Sequence, residues 1–460
     1  MTPLDATPVD PTRGAVPPAL FNRAVTAHTA RDFPLAVDLW TQVIGFEPDR
    51  STLASAFYNR GQARHTVGDH VSAADDFRRV LHLFPDNASA WHKYAAALLN
   101  SHDDVPALAA IEKAIDLDPA NAEFHHCYAG VLSTFNDDER ALTEWGIAHQ
   151  LDPNRAETAI GQAMTMLRRS AGRDTAGWRL FESRRAKGIT DLYPGMPLWH
   201  GQPAFPIAGK TILVRCEQGY GDTLQFVRYV HPLVEAGAHV TLETPRSLMR
   251  LFRHALPPTV KLHESRPGLP AAHDFQTALM TLPLAFPDYA ARDPSPTPVG
   301  YLGVRPGDVP AASGFRAGLV WHGGARPEDP DANSIDGRRS LPEAVGLMLQ
   351  HELALRCPVV SLQQEDLPRH YDFYDTAALV ASLDLVITVD TAIAHLAGAM
   401  GRPVWLLDRY SPCWRWGLGT ATTHWYPTMT IYRQATPKDW EPVIRRVLRD
   451  IDALLEAPRP

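Results

Sequence analysis

The stretch with the clearest chemical potential runs from Asp384 to Leu407 and reads as strand, turn, helix, turn, strand. Its apolar start is typical of a strand buried on both faces. Asp390 and Thr391 follow, and both residue types cap helices well. A helix that begins at the carboxyl end of a parallel strand offers free N–H groups and a positive dipole end, which suits a phosphate. His395 could lean toward the same anion from one turn away. The alternative is that Asp390 only caps and His395 only packs.

A second candidate is E-Q-G-Y-G-D, residues 217–222, which directly follows a predicted strand. Gly219 and Gly221 permit a tight turn and close approach by a substrate, and they form the predicted acceptor-side loop. Asp222 opens the next helix. It is either a helix cap or a general base that removes a proton from an acceptor hydroxyl.

The same turn has a weaker interpretation as a dinucleotide site. Leu224 occupies the third glycine position, so the G-x-G-x-x-G pattern is incomplete. Glu243 stands at the end of the next predicted strand and could mimic the ribose-binding acid. A dinucleotide-dependent oxidoreductase is therefore retained only as a minor alternative.

Three more strand ends carry polar or small residues. Gly323, in H-G-G-A-R-P at residues 322–327, suggests either a phosphate-proximal loop or a simple turn. Arg339, in D-G-R-R-S-L-P, could bind a diphosphate through two N–H groups, although a solvated arginine pair is the commoner reason for R-R. Gln363, in S-L-Q-Q, could read a base or ribose. We expect these three residues in the donor site.

Large aromatic residues cluster near the carboxyl end, in W-R-W at 414–416 and W-Y-P at 425–427. They could wall a nucleotide or sugar site, or they could pack two domains together. No H-E-x-x-H, G-x-S-x-G or complete Walker sequence is present, and no metal-ligand pattern stands out, so we predict no metal site.

Composition limits the classes of protein that remain. The 460 residues suffice for about three domains. A formal net charge of −8 with no basic run disfavours a nucleic-acid partner. The first residues lack a signal-peptide pattern, and no apolar run is long enough to predict a membrane segment. Four widely spaced cysteines indicate reduced thiols and a cytoplasmic protein.

An internal repeat fills the first part of the chain. Prolines at 48, 85, 119 and 153 each end a helical run, at spacings of 37, 34 and 34 residues. Small residues recur where helices would cross, and large ones recur where helix pairs would stack. This pattern closely resembles tetratricopeptide repeats. We predict a disordered tail at 1–16, an α-helical solenoid of about four repeats plus capping helices at 17–187, and a linker at 188–209.

Beyond residue 210 the pattern changes to strands alternating with helices. That alternation predicts parallel sheets covered by helices. Two such sets predict two doubly wound, Rossmann-like α/β domains, at 210–310 and 311–460, with a ligand cleft between them.

Residues 211 to about 450 resemble a GT-B glycosyltransferase of the lipopolysaccharide heptosyltransferase kind. The resemblance depends on the strand–G-x-G-D–helix at 211–236 and on V-D-T-A-I-A-H-L-A-G-A at 389–399. Fusion to a tetratricopeptide array is similar to a group of bacterial repeat-containing proteins. The resemblance implies that Asp222 is the base and that Asp390, Thr391 and His395 hold the donor diphosphate. Arg339 is the best match for a further basic residue of the family.

Together these patterns predict a metal-independent, inverting glycosyltransferase with a nucleotide-sugar donor and no cofactor. The repeat array would present a protein or carrier-linked glycan acceptor. Two alternatives remain open: a repeat scaffold whose transferase-like domain no longer turns over, and a nucleotide-sugar epimerase of GT-B shape.

Overall fold

The computed structural model describes residues 14–187, 193, 195–217, 219–265, 272–287, 289, 300–324 and 336–457. These residues form two compact units, one ending at Asn154 and the other beginning at Arg155. The predicted tail lies almost wholly outside the described residues, as do parts of the predicted linker. No helix within the described ranges is long and apolar enough to cross a membrane.

The first unit consists of consecutive helices that pack in pairs. Their bounds are α1 Pro18–Thr29, α2 Phe33–Gly45, α3 Arg50–Thr66, α4 His70–Leu83, α5 Ala88–Asn100, α6 Asp104–Leu117, α7 Ala122–Thr134 and α8 Asp138–Leu151. The small residues predicted at the helix crossings are fully buried, namely Ala24, Ala36, Ala73, Ala95, Ala107, Ala129 and Ala141. Their methyl groups allow the helix backbones to approach closely. The predicted tetratricopeptide array is therefore confirmed.

The turn inside each helix pair repeats one backbone conformation. Its last residue has a positive φ of about 60–90°, at Arg31, Gly68, His102 and Asn136. An aspartate follows each time and stands at the N-cap of the second helix. The carboxylates of Asp32, Asp69 and Asp137 accept a hydrogen bond from the N–H three residues on. This common turn and cap keep the repeat length nearly constant.

The second unit begins with two helices that our sequence analysis assigned to the array, α9 Ala156–Ser170 and α10 Thr175–Phe181. Trp178 and Phe181 belong to the same buried core as the α/β sheets. The array with its capping helices was predicted to end at residue 187, whereas the second compact unit already begins at Arg155. The reason is that this helix pair buries its apolar face on the sheets. Arg184, fully buried just after α10, donates to both carboxylate oxygens of Glu217 at 3.1 and 2.8 Å.

The first half of this unit is a four-stranded parallel sheet in the order β3-β2-β1-β4. The strands are β1 Thr211–Arg215, β2 His239–Thr244, β3 Lys261–Glu264 and β4 Phe275–Ala278. The associated helices are α11 Tyr220–Phe226, α12 Val230–Glu235, α13 Met249–Ala255 and α14 Leu282–Ala285. The helix predicted over 223–236 is divided by a 3-10 turn. Its carbonyls are diverted to side chains there, since Arg228 Nε and the Tyr301 hydroxyl bond to Gln225 and Leu224.

The second half is a five-stranded parallel sheet in the order β6-β5-β7-β8-β9. Its strands are β5 Ala317–Val320, β6 Val359–Ser361, β7 Leu385–Val389, β8 Val404–Asp408 and β9 Met429–Arg433. Its helices are α15 Glu343–Ala354, α16 Phe373–Ala381, α17 Ala392–Ala399 and α18 Glu441–Glu456. Strand β9 was not expected from the sequence pattern. The two parallel sheets covered by helices confirm the predicted α/β class.

The two halves share one hydrophobic core. Leu224 and Phe226 of the first half and Trp414 and Tyr426 of the second belong to the same buried cluster. At α11 and α17 the halves are in direct contact. The two predicted site segments therefore meet.

Candidate active site

The candidate donor helix, α17, begins directly after the fully buried strand β7. Thr391 stands at the N-cap with extended backbone, but its side chain caps no N–H group. Its hydroxyl instead lies 3.2 Å from the hydroxyl of Thr388. The first N–H groups of the helix thus lack a side-chain cap, which leaves them suited to an anion.

His395 lies one turn into α17 and is buried. Its Nδ1 is 2.9 Å from the Tyr426 hydroxyl, and its ring stacks on Trp416 at a centroid distance of 5.4 Å. Nε2 points toward Asp390, 3.9 Å from Oδ1. Burial, reinforced by Arg415 and two other arginines, holds the pKa of His395 well below its ordinary value. A neutral imidazole offers one N–H donor and one acceptor, but no positive charge.

Gly221 brings α11 against α17. A Cβ at this position would lie 2.8 Å from Cδ2 of His395 and 3.7 Å from Cα of Ala392. Glycine is needed here for helix packing, whereas at Gly219 the nearest atom is Oδ2 of Asp222, 3.6 Å away. The predicted acceptor-side role of both glycines stays a prediction.

Asp222, the predicted base, stands in the first turn of α11 and uses both carboxylate oxygens. Oδ2 accepts a 3.2 Å hydrogen bond from the N–H of Gly219, and Oδ1 accepts one from the Arg415 guanidinium. The carboxylate therefore holds its own helix start and joins the two halves. Its side chain is 18% exposed, so solvent reaches the group in part.

Arg415 was not among the residues expected in the site, because W-R-W at 414–416 stands out for its tryptophans. The guanidinium stacks on Trp414 at 4.3 Å and also donates to the Gln225 side chain at 2.5 Å. Burial alone would lower the pKa of Arg415, but Asp222, Cys413 and Asp390 raise it above its ordinary value. The signal available in the sequence was a cation in a loop that follows strand β8.

Arg339 and Gly323 are brought together. A Cβ on Gly323 would lie 3.3 Å from Nη2 of Arg339, and the N–H of Gly323 donates to the Ser340 hydroxyl at 3.0 Å. Arg339 pairs with Asp336 at 2.5 Å and acts electrostatically on His395. Both predicted residues thus lie on the α17 side of the unit. Residues 325–327 of the same predicted loop lie outside the described residues.

Gln363 has a local structural partner. Its side chain is buried, and its amide oxygen accepts a 3.1 Å hydrogen bond from the N–H of Trp321 at the end of β5. This contact ties β5 to the segment after β6. The oxygen is thus already engaged by backbone, and the predicted role in reading a base or ribose stays a prediction.

Glu243 is the acid that a dinucleotide site would use for the ribose. It is buried and bonded to Arg215 and Tyr193, so its carboxylate is already paired.

The tryptophan-rich segments had two possible roles, to line a ligand site or to pack the domains together. The aromatic residues of 414–416 and 425–427 are buried, with Trp414 against Phe226 of the first half. Of the two roles considered, packing of the halves matches these contacts.

A second missed cation, Arg409, follows β8 directly. Asp390 and Asp408 lie within its electrostatic reach, and burial lowers the pKa of its guanidinium.

Across the described ranges, no group of three or more His, Cys, Asp or Glu side chains is placed to hold a metal ion. Arg339, Arg409 and Arg415 bring positive charge near the start of α17.

The fold and this arrangement define the second unit as a two-sheet α/β unit of GT-B type. The family model of glycosyltransferase family 9 (heptosyltransferase) matches residues 365–422. That segment contains α16, β7, α17 and β8 together with Arg415. The chain is therefore a tetratricopeptide-repeat protein fused to an α/β unit that resembles the heptosyltransferase family.

Protein FlbA of Caulobacter vibrioides is 28% identical to this chain over 327 residues, which cover 61% of the chain and 53% of FlbA. The chain thus spans about half the length of this relative. Similar solved structures include MamA residues 41 to the end from Desulfovibrio magneticus RS-1 (18% identity, 38% of this chain, 96% of that chain, TM-score 0.33). Another is YrrB, described as a tetratricopeptide-repeat protein with an unusual peptide-binding site (16% identity, 37% of this chain, 91% of that chain, TM-score 0.31). The assignment of the array depends on its own helix pairs.

Proposed function

We propose that the second unit is a metal-independent, inverting glycosyltransferase that takes its sugar from a nucleotide-activated donor. The donor diphosphate lies at the start of α17, and Asp222 deprotonates the acceptor. The observation that carries the proposal is the direct contact between the two predicted segments, with Gly221 against His395. The catalytic base and the diphosphate-binding site have to lie close together for a single transfer step to use both.

In that step the acceptor oxygen bonds to the anomeric carbon from the side opposite the diphosphate. The bond from this carbon to the β-phosphate oxygen breaks, and its electron pair leaves with the nucleoside diphosphate. The acceptor proton passes to Asp222. Arg339, Arg409 and Arg415 supply positive charge near the leaving group, the task that a metal ion performs in other transferases.

The array would bind the acceptor, a protein or a carrier-linked glycan. This part of the proposal is supported by the buried clusters of the array, whose described members all lie between residues 16 and 145. A repeat array that builds its core from its own helices can use its surface for recognition. We also place the protein in the cytoplasm, where its four free cysteines would stay reduced.

A scaffold without turnover is the second candidate, and a specific contact favours it. Asp222 is engaged by Arg415, and the two halves share a buried core. Such a domain could hold its shape without ever binding a sugar nucleotide. Nucleotide binding and turnover separate the two candidates.

The first experiment is a thermal-shift screen of the full-length chain with ADP, CDP, GDP, UDP and their common sugar conjugates. A ligand that binds the native state and not the unfolded state raises the melting temperature. We expect one nucleoside diphosphate to stabilise the chain. No response to any of them would favour the scaffold.

The second experiment replaces Asp222 by asparagine and follows donor turnover. Loss of a general base typically costs about 10²–10⁴-fold in rate, so we expect at least a hundredfold loss with no weakening of nucleotide binding. Asp375→Asn is a matched control. Asp375 also stands in the first turn of its helix, accepts from the N-cap N–H and pairs with Arg250 of the other half. Equal turnover in both variants would remove Asp222 from the reaction.

A further inference from the structure

Arg415 connects the two components of the proposed reaction. Its guanidinium donates to the carboxylate of Asp222 and to the side chain of Gln225, both on α11. Its charge also lowers the pKa of His395 in the first turn of α17, and Asp390, just before α17, raises the pKa of Arg415. The side chain is only 10% exposed, and stacking on Trp414 limits its freedom.

This pairing has a chemical consequence for Asp222. Both of its oxygens are occupied, Oδ1 by the Arg415 guanidinium and Oδ2 by the N–H of Gly219. A general base must lie within hydrogen-bond reach of the proton that it removes. While Arg415 holds Oδ1, an acceptor hydroxyl therefore has to compete with the guanidinium for that oxygen.

A bound diphosphate competes for the same guanidinium. Arginine binds phosphate oxygens through two parallel N–H bonds, as it does a carboxylate. A diphosphate at the start of α17 brings more negative charge than Asp222 does. Each arginine N–H that turns toward the diphosphate no longer bonds to the carboxylate of Asp222.

We propose that Arg415 exchanges partners during the reaction, leaving Asp222 for the donor diphosphate when a nucleotide sugar binds. The inference builds on the proposed function and adds a role for this residue. In the resting protein Arg415 occupies Oδ1 of Asp222 and holds the carboxylate in place. With donor bound it neutralises the diphosphate and leaves Asp222 free to accept the acceptor's proton.

Partner exchange makes two variants change nucleotide affinity in opposite directions. Asp222→Asn weakens the competitor, because a neutral amide oxygen holds the guanidinium less strongly than a carboxylate does, so Arg415 is released more readily and nucleotide affinity rises several-fold. Arg415→Gln removes the ligand for the diphosphate. Loss of one hydrogen bond to a charged group is worth roughly tenfold or more in affinity. A residue that only held the halves together would not produce opposite effects.

The test is isothermal titration of the full-length protein with whichever of ADP, CDP, GDP or UDP binds the wild type. We compare wild type, Asp222→Asn, Arg415→Gln and the double variant. The double variant is expected to bind as weakly as Arg415→Gln alone, because Asp222 acts on the nucleotide only through Arg415. Arg415→Lys keeps the charge but not the paired N–H geometry, and it serves if Arg415→Gln does not fold.

Arg250→Gln is the matched control. Arg250 also pairs across the halves, with Asp375 at 2.8 Å and Asp372 at 3.1 Å, but it lies on α13 and contacts α16. It should leave nucleotide affinity unchanged. An equal loss in Arg250→Gln and Arg415→Gln would mean that both act by holding the halves, which overturns the exchange.

Other outcomes also decide the matter. If Asp222→Asn tightens binding equally with and without Arg415, the gain is simple loss of repulsion and the exchange is wrong. If wild type binds a nucleoside diphosphate and turns over while neither single variant changes affinity, the exchange fails but the proposed function stands. If wild type binds none of the four nucleotides, the proposed function itself fails.

Discussion

Replacing Gly221 by alanine tests the contact between α11 and α17. The added Cβ would lie 2.8 Å from Cδ2 of His395, closer than Cβ atoms approach other atoms in proteins, and 3.4 Å from Nε2. His395 has little room to withdraw, because its ring is buried between the Tyr426 hydroxyl and the Trp416 ring. One of the two helices has to move.

Overpacking of this kind typically costs about 1–3 kcal/mol. A gain of roughly 0.4–1 kcal/mol, from the smaller conformational freedom of alanine in the unfolded chain, offsets part of it. For a unit of this size each kcal/mol lowers the melting temperature by roughly 2–4 °C. We therefore expect Gly221→Ala to melt several degrees below wild type.

The assay is thermal unfolding of the full-length chain, followed by tryptophan fluorescence. Because the chain has two compact units, the shift of the transition is compared rather than a two-state free energy. Gly219→Ala is the control in the same turn. Its φ of −81° suits alanine, its Cβ would meet only Asp222 Oδ2 at 3.6 Å, and its cost is limited to a poorer N-cap of about 1 kcal/mol.

A Gly221→Ala variant that melts at or above Gly219→Ala would refute the reasoning. It would mean that α11 and α17 are apart in solution and that the halves do not share the core described above.

Two further predictions concern stability. Burial, with Arg173 and Arg228, lowers the pKa of His424 to about 3, and the pKa of His395 is lowered too. Both histidines therefore stabilise the fold above their unfolded pKa of about 6.5, and this stability is lost as the pH falls below that value, by up to about 1.4 kcal/mol per pH unit for each histidine. Between pH 6.5 and 4.5 the melting temperature of His424→Gln should fall less steeply than that of wild type, and equal slopes would contradict this. Arg184→Met should destabilise the second unit by about 3–5 kcal/mol, because it leaves the buried Glu217 charge without its partner. Thermal melts should show part of this loss recovered in Arg184→Met/Glu217→Gln, and a double variant no more stable than Arg184→Met would argue against an unpaired charge as the cause.

Local sequence was sufficient for the array and for the class of the second unit. Each repeat buries its apolar face against its neighbour, so small residues and prolines recur at a spacing that can be counted. Likewise, β7 and α17 follow from a buried apolar run, a helix-capping pair and a glycine stop, all within 20 residues. Patterns of this range are visible because the contacts that select them are local in the chain.

The end of the array could not be placed in the same way. Residues 156–187 have helical periodicity like the repeats before them, and only their partner differs. Trp178 packs on Phe226 and Trp414, which lie far away in sequence. The periodicity of a helix shows which face is buried but not what covers it.

The candidate site was only partly accessible for the same reason. Asp222 and the α17 residues were noticed because each follows a strand, and parallel strands bring their carboxyl ends to one edge of a sheet. Arg415 lies 193 residues after Asp222, in a segment noticed only for its tryptophans. That these two side chains form an ion pair, and that Gly221 serves the packing of His395, depends on how two sheets dock, which only the tertiary structure determines.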